Sequence, residues 1–308
     1  MLDRQFSKFG FRSALVVLVL LTVCGSAITE VPAKTAAVQQ STKNCLWLIQ
    51  TQSHKIYLLG SIHVLKQETY PLDPAIEKAF ADSQRIVFET DLAAMQDPAM
   101  QTKMLELGMY PAEQNLFENI ARDTRQQLEK KMSSLGLPLE AFSRFKPWFV
   151  ALTLTTLELQ RLGYNPQYGI DVYFFGKAQS GGKEIGFLEP PEYQIDLLGN
   201  MAGKDQNDFL KQTLKDLELI GELAGDLVSS WKSGNADKLH ELLHRSFKDY
   251  PNLNHRLLIQ RNQKWVVEVE EAMRHDQNVL FVVGAAHLVG PESVVDLLRK
   301  TGYEVKQQ

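Results

Sequence analysis

The chain has 308 residues, 44% hydrophobic and 23% charged, which is enough for one large core, or for one domain carrying a helical insertion. Its formal net charge is −4, and it contains no Lys/Arg-rich run interleaved with aromatics, so a nucleic-acid partner has little electrostatic support. Nothing in the composition reads as disordered or built from repeats.

Arg4, Lys8 and Arg12 precede the apolar run Ala14 to Val23, and Gly25-Ser26-Ala27 follows it. This is the pattern of an export signal, residues 1–27, cleaved after about Ala27. The run is short for a membrane-spanning helix. The mature protein is therefore expected in the periplasm or outside the cell, touching the membrane only through this signal. Cys24 allows a second version, in which it carries a lipid anchor as part of a lipoprotein signal. Residues 28–43 have no periodicity and read as a flexible leader, and the folded domain is expected over 44–308. After cleavage Cys45 has no partner for an internal disulfide, and it reads as a packed strand residue.

Leu46 to Thr51 and Lys55 to Leu59 are short apolar runs joined by Gln52-Ser53-His54, a polar turn that predicts a hairpin with His54 solvated in its loop. The second run continues as Gly60-Ser61-Ile62-His63, placing an imidazole just past a strand. Ala75 to Ser83 has a helical pattern. Arg85 to Asp91 is strand-like and ends on carboxylates, Glu89 among them. From about Met95 to Leu162 the spacing is helical, with a break at Gly136-Leu137-Pro138 and a restart at Pro147. Gly169-Ile170-Asp171 opens a helix to about Ala178, with Asp171 in the first turn, where a carboxylate suits the helix dipole. Lys183 to Leu188 predicts a strand ending at Glu189.

Tyr193 to His275 is again helical, with breaks near Gly203, Gly234 and Pro251. The last segment reads as strand (Val279 to Val283), a loop holding His287, helix (about Glu292 to Thr301) and strand (Tyr303 to Lys306). VLFVVGAAHL repeats the earlier phrase IYLLGSIHVL: with Gly60 aligned on Gly284, His63 falls on His287. A chain that begins and ends in sheet with helices between predicts an α/β (α+β) fold, a central mixed sheet with a large helical insertion.

Four predicted strands thus end on His63, Glu89, Glu189 and His287, where strand ends of open α/β sheets line a crevice. Two imidazoles and a carboxylate suit a borderline divalent metal, which would activate water and polarise a carbonyl. Arg261, in a helix over about 257–273, is suited to orient a carboxylate or steady an oxyanion, and Trp265 is expected to pack that helix on the core. A rival motif, His240-Glu241-Leu242-Leu243-His244, matches the zincin helix H-E-x-x-H. His255 and Glu268 are poorly placed as its third ligand, and a solvated amphipathic helix accounts for the same residues.

The phrases LLGSIHVL, VFETDL, KPWF, GIDVYF, GFLEPPEYQ, RNQKW and VGAAHLVGPESVVDLLRKTGYEV resemble those of the TraB/GumN family, which includes PrgY and TIKI proteins and carries a double Gly-x-x-His signature. The resemblance spans about residue 44 to the end. It implies a fold similar to erythromycin-esterase and ChaN-like proteins, a site of His63, His287 and Glu89 with Arg261 and Glu189 beside them, and metal-dependent proteolysis with manganese or cobalt, zinc being the further candidate from the donor types. The expectation is therefore an exported metal-dependent hydrolase of peptide or protein substrates, Glu189 assisting proton transfer. The alternative is a binding protein that sequesters a peptide or haem-like ligand in the same cleft.

Overall fold

A computed structural model describes residues 43–244 and 251–308. The expected signal, Cys24 and nearly all of the leader lie outside these residues. Among the described residues no helix is long and apolar enough to cross a membrane.

The apolar runs form a six-stranded mixed sheet: β1 (Leu46–Gln50), β2 (Lys55–Ser61), β3 (Arg85–Phe88), β4 (Glu184–Phe187), β5 (Val279–Gly284) and β6 (Val305–Gln307), in the order β4-β3-β5-β2-β1-β6. β1 and β2 are the expected hairpin, antiparallel with Leu46 opposite Leu59. β2, β5, β3 and β4 run parallel, while β6 pairs antiparallel with β1. The mixed sheet follows from the connections: a tight turn gives the antiparallel pair, and long crossovers give the parallel ones. β2 and β5 pair one residue off the alignment of their shared phrase, with Gly60 opposite Val283 and Ser61 opposite Gly284. Their continuous Val/Ile/Leu composition fits strands buried on both faces, and every residue of β5 is buried.

The helices are α1 (Pro74–Asp82), α2 (Pro98–Gly108), α3 (Arg122–Ser134), α4 (Pro147–Arg161), α5 (Ile170–Ser180), α6 (Pro191–Gly199), α7 (Gly203–Asp216), α8 (Ile220–Lys232), α9 (Ala236–His244), α10 (Pro251–Asn254), α11 (Gln260–Ala272) and α12 (Val294–Lys300), with a π-helical turn, His255–Ile259, between α10 and α11. Pro74, Pro98, Pro147 and Pro191 each sit at a first helical position, where the missing N–H costs nothing and φ is already helical. α2 to α5 lie between β3 and β4, and α6 to α11 between β4 and β5, so the helical insertion is split in two by one strand. Phe80 against Phe174 and Phe88 against Phe175, with ring centroids 5.0 Å and 5.4 Å apart, bind α5 to α1 and to the sheet.

The expected Cys45 packing is present: the residue is buried beside Gly60, and burial pushes its thiol far above the usual range. A Cβ on Gly60 would lie 2.5 Å from the Cys45 Sγ, so glycine is what lets this layer close. One reading is corrected. His54 is buried, not solvated, because the turn folds back on itself: Thr51 Oγ1 lies 2.9 Å from His54 Nδ1 and also takes the His54 N–H at 3.0 Å.

Candidate functional site

Because β2, β5, β3 and β4 are parallel, their C-terminal ends share one edge of the sheet. His63, His287, Glu89 and Glu189 follow those four ends. The β3–β4 pairing runs on past the strands, with Glu189 N–H donating to Glu89 O at 2.9 Å, which sets the two glutamates side by side. Both are buried.

α11 brings Arg261, wholly buried, between them. Its Nε donates to Glu189 Oε1 and Oε2 at 2.9 and 3.0 Å, and its Nη2 donates to Glu89 Oε2 at 2.6 Å and lies 2.8 Å from Glu189 Oε2. Its Nη1 donates to Leu257 O and to His287 Nε2, both at 3.1 Å. A guanidinium has five N–H donors; four of them make hydrogen bonds here, and the nitrogen that carries the fifth is in an ion pair with Glu189. Burial works against the Arg261 charge, but Glu89 and Glu189 outweigh it and hold the group protonated. Burial also pushes the Glu189 carboxyl up, against the pull of Arg261.

The carboxylates have further fixed partners. Glu89 Oε1 accepts from Gly284 N–H at 2.6 Å, and Glu89 Oε2 from Gln194 Nε2 at 3.1 Å. Trp265, one turn after Arg261, is buried as expected and donates Nε1–H to Glu189 Oε1 at 3.1 Å, while the guanidinium carbon sits 4.6 Å from its ring.

His287 and His63 share a phrase but not a setting. His287 Nδ1–H donates to Asn262 Oδ1 at 2.6 Å. The Asn262 amide is held by its Nδ2, which donates at 2.8 Å to the carbonyl of Glu292, a residue in the left-handed region at φ 59°. With Nδ1 a donor, Nε2 carries the lone pair, and Arg261 occupies it. Burial, and after it the Arg261 charge, push the His287 pKa well below the usual histidine value, so this ring is neutral.

His63 Nδ1 instead meets Asp171 Oδ1 at 2.5 Å. Its Nε2 is buried with no hydrogen-bond partner. Burial disfavours the imidazolium, but Asp171 more than offsets this and the pKa is raised; the charges of Glu89 and Arg261 reach the ring with opposite signs. Burial likewise pushes Asp171 up, and His63 overcomes it, leaving that carboxyl below its usual range. The pairing depends on Gly169. Ile170 N–H donates to Ile62 O at 3.1 Å, and a Cβ on Gly169 would lie 2.5 Å from the His63 carbonyl oxygen. Glycine thus allows the start of α5 to reach the loop after β2 and set Asp171 beside the imidazole.

The structure therefore brings Glu89, Glu189, Arg261 and His287 into one hydrogen-bonded cluster, with His63 beside it and paired to Asp171. Asp171, Gln194 and Asn262 are neighbours that sequence reasoning did not assign. Each lay in a quoted phrase, GIDVYF, GFLEPPEYQ or RNQKW, so the phrases were the available signal.

The HELLH residues have other partners. On α9, His244 Nε2–H donates to Ala286 O at 3.1 Å, and the His240 ring packs against Gly290, where an added Cβ would lie 2.0 Å from its Nδ1. Both rings grip the loop that carries His287. Glu241 is exposed and pairs with Lys238 at 2.9 Å, and His255 and Glu268 are exposed. Burial pushes the His244 pKa down to about 4, as suits a neutral donor.

Residues 45–307 match the model of the TraB/PrgY/gumN family. The chain belongs to the TraB/PrgY/gumN family. Among its relatives in this family, YbaP of Escherichia coli K12, described as uncharacterized, is 27% identical over 243 residues, covering 79% of this chain and 87% of YbaP. Metalloprotease TIKI2 of Danio rerio is 24% identical over 321 residues (87% of this chain, 61% of TIKI2), and human Metalloprotease TIKI1 is 24% identical over 325 residues (87% and 63%). The chain thus spans about three-fifths of the length of these TIKI proteins. No solved structure matches.

Proposed function

We propose that this member of the TraB/PrgY/gumN family is a hydrolase of peptide bonds in which His63, backed by Asp171, activates the attacking water. The observation that carries the reading is the His63 ring itself: Nδ1 is committed to a carboxylate while the buried Nε2 has no partner. A carboxylate on Nδ1 fixes the ring's orientation and stabilises the imidazolium that forms when Nε2 takes a proton. The peptide substrate class follows from the relatives named metalloproteases.

Those names also imply a metal. His63 suits one, because a carboxylate-backed imidazole with a bare Nε2 is a usual ligand arrangement. Glu89 and His287 do not suit it as they stand: Arg261 holds the His287 Nε2 lone pair and an oxygen of Glu89. Among the described residues no group of three or more His, Cys, Asp or Glu is arranged to hold an ion.

In the proposed reaction water loses a proton to His63 Nε2, its oxygen adds to the carbonyl carbon, and the proton passes on to the departing amine. Arg261 ion-pairs with Glu89 and Glu189 and positions His287. His63 is only 4% exposed, so substrate reaches it as the surrounding segments open. The protein acts outside the cytoplasm in this reading, supported by the basic, apolar and small-residue succession of residues 1–27.

A peptide-library digestion with the purified chain, His63→Ala and Asp171→Asn is the test. Cleavage lost in His63→Ala, and reduced about 100-fold or more in Asp171→Asn, is the expected result. Full cleavage by His63→Ala would sink the assignment, and tight capture of a peptide or haem without product would make this a binding cleft.

A further inference from the structure

We infer that Arg261 is the resident cation of a metal-type donor set: its guanidinium stands where Glu89, Glu189 and His287 would otherwise hold a divalent ion, and the cluster takes up such an ion only when Arg261 is removed. The inference concerns the same cluster as the proposed hydrolysis but does not depend on hydrolysis occurring.

Three observations carry it. The first is convergence. Two carboxylates and one imidazole, from the ends of β3, β4 and β5, all direct an acceptor at one buried cationic group, over 2.6 to 3.1 Å. Carboxylate oxygens and a neutral imidazole nitrogen are the donor types that borderline and hard divalent ions select. The His287 tautomer is the one a ligand needs, since Asn262 takes the Nδ1 proton and leaves the Nε2 lone pair facing inward.

The second is saturation. Arg261 spends four N–H groups in hydrogen bonds, Nε on Glu189, Nη1 on His287 and on Leu257 O, and Nη2 on Glu89, while Nη2 also stands 2.8 Å from Glu189 Oε2 in an ion pair. An ion entering beside it would have to break hydrogen bonds to a permanent charge and then sit against that charge in a water-poor interior, where repulsion is poorly screened. Beside this cluster His63 Nε2 offers a bare nitrogen to an ion, and a single imidazole is too few.

The third is spacing. His287 Nε2 and Glu89 Oε1 are 4.0 Å apart, while two donors on one tetrahedral ion with bonds near 2.1 Å stand roughly 3.4 Å apart. With the guanidinium gone, a closure of about half an ångström would suffice for that pair. The position is therefore built for a cation in geometry and charge, and the chain supplies one covalently.

The test reads bound metal, not turnover. The full purified chain is stripped with a chelator and dialysed against cobalt(II), manganese(II) and zinc(II) in turn; metal per chain is measured by elemental analysis, and the cobalt form by its visible absorption. For the parent chain, no stoichiometric ion retained is the expected result. One ion per chain that is lost in His287→Ala or in Glu89→Gln overturns the inference, whereas one that survives both substitutions sits elsewhere and leaves the cluster closed to metal, as inferred. In Arg261→Ala, cobalt affinity at least about tenfold above the parent, with absorption typical of nitrogen and oxygen ligation, is expected. A variant that unfolds without metal and folds on adding it supports the inference equally. A folded Arg261→Ala that binds cobalt no more tightly than the parent overturns it. Absence of peptide cleavage alongside an ion-free parent would remove the hydrolytic reading and leave this one standing.

Discussion

His63 and His287 arise from the same phrase, a buried strand followed by Gly-x-x-His, and stand at the ends of adjacent parallel strands, yet their second nitrogens meet opposite fates. At His63 the partner is Asp171, a carboxylate, and the ring keeps Nε2 bare and a raised pKa. At His287 the partner is Asn262, a neutral amide, Nε2 is taken by a guanidinium, and the pKa is depressed. A local motif delivers a ring to a place; whether the ring can move a proton is decided by the one side chain behind it, brought from a distant helix. The difference separates a chemical half of the site from an architectural half.

Breaking the architectural half should have the largest effect. Glu189→Ala leaves Arg261 with Glu89 as its one carboxylate and strips its Nε–H and the Trp265 Nε1–H of their acceptor, and each buried donor left unsatisfied costs about 1–3 kcal/mol, more for a charged group. Urea unfolding should show that loss; a variant as stable as the parent would mean that the cluster is not architectural.

Next comes the chemical half, read through pH. The His63 pKa is raised on folding, so the His63–Asp171 pair contributes its full stability below about 6.5, the ordinary histidine value, and loses it as pH rises through the folded value. The lowered Asp171 pKa sets the acid limit, with stability lost as pH falls through that depressed value. The proposed hydrolysis would need neutral His63, so kcat/KM should rise over the same interval in which stability falls. Asp171→Asn should move the rise in activity to lower pH and cut kcat by about 100-fold. Rate profiles and urea midpoints measured across that range provide the check, and parallel rather than opposed trends would contradict it.

Asn262→Asp is a smaller and sharper comparison, because it gives His287 the kind of partner that His63 has. Its ring should titrate at higher pH than in the parent, observable by NMR of the imidazole C–H signals, and an unmoved titration would mean that the neighbour does not set the difference. His244→Ala should have the least effect, about 1 kcal/mol for one hydrogen bond to the His287 loop, with no change in bound metal. A zincin site would instead lose its ion.

Much of this was legible in the sequence. The six strands, the split of sheet and helix, and the placement of His63, Glu89, Glu189 and His287 at strand ends follow from apolar runs that stop at polar residues. Asp171 is visible as a first-turn carboxylate, and the helix dipole accounts for it locally, while its partner His63 stands 108 positions away in the chain. His54 looked solvated because its neighbours are polar, while the turn's own hydrogen bonds bury it. The saturation of Arg261 is a count of partners that follow β3, β4 and β5 and of one in the π-helical turn before α11, and no window along the chain contains it. The one-residue offset between β2 and β5 likewise belongs to the ladder and not to the shared phrase.

The strand order carries a consequence for how the molecule is made. β5, among the last elements in the chain, lies between β2 and β3, two of the earliest, and Asn278 at its start ties to Lys55 across 223 positions. A chain that stops before Val279 would have a hairpin of β1 and β2 and a separate pair of β3 and β4, with nothing between them. Closing so long a loop carries its entropy cost before any central contact rewards it. The sheet is thus finished from the middle and late, and the edge that gathers its four acid and imidazole groups exists only in a chain completed through that strand: the element that closes the core is also the one that assembles the site.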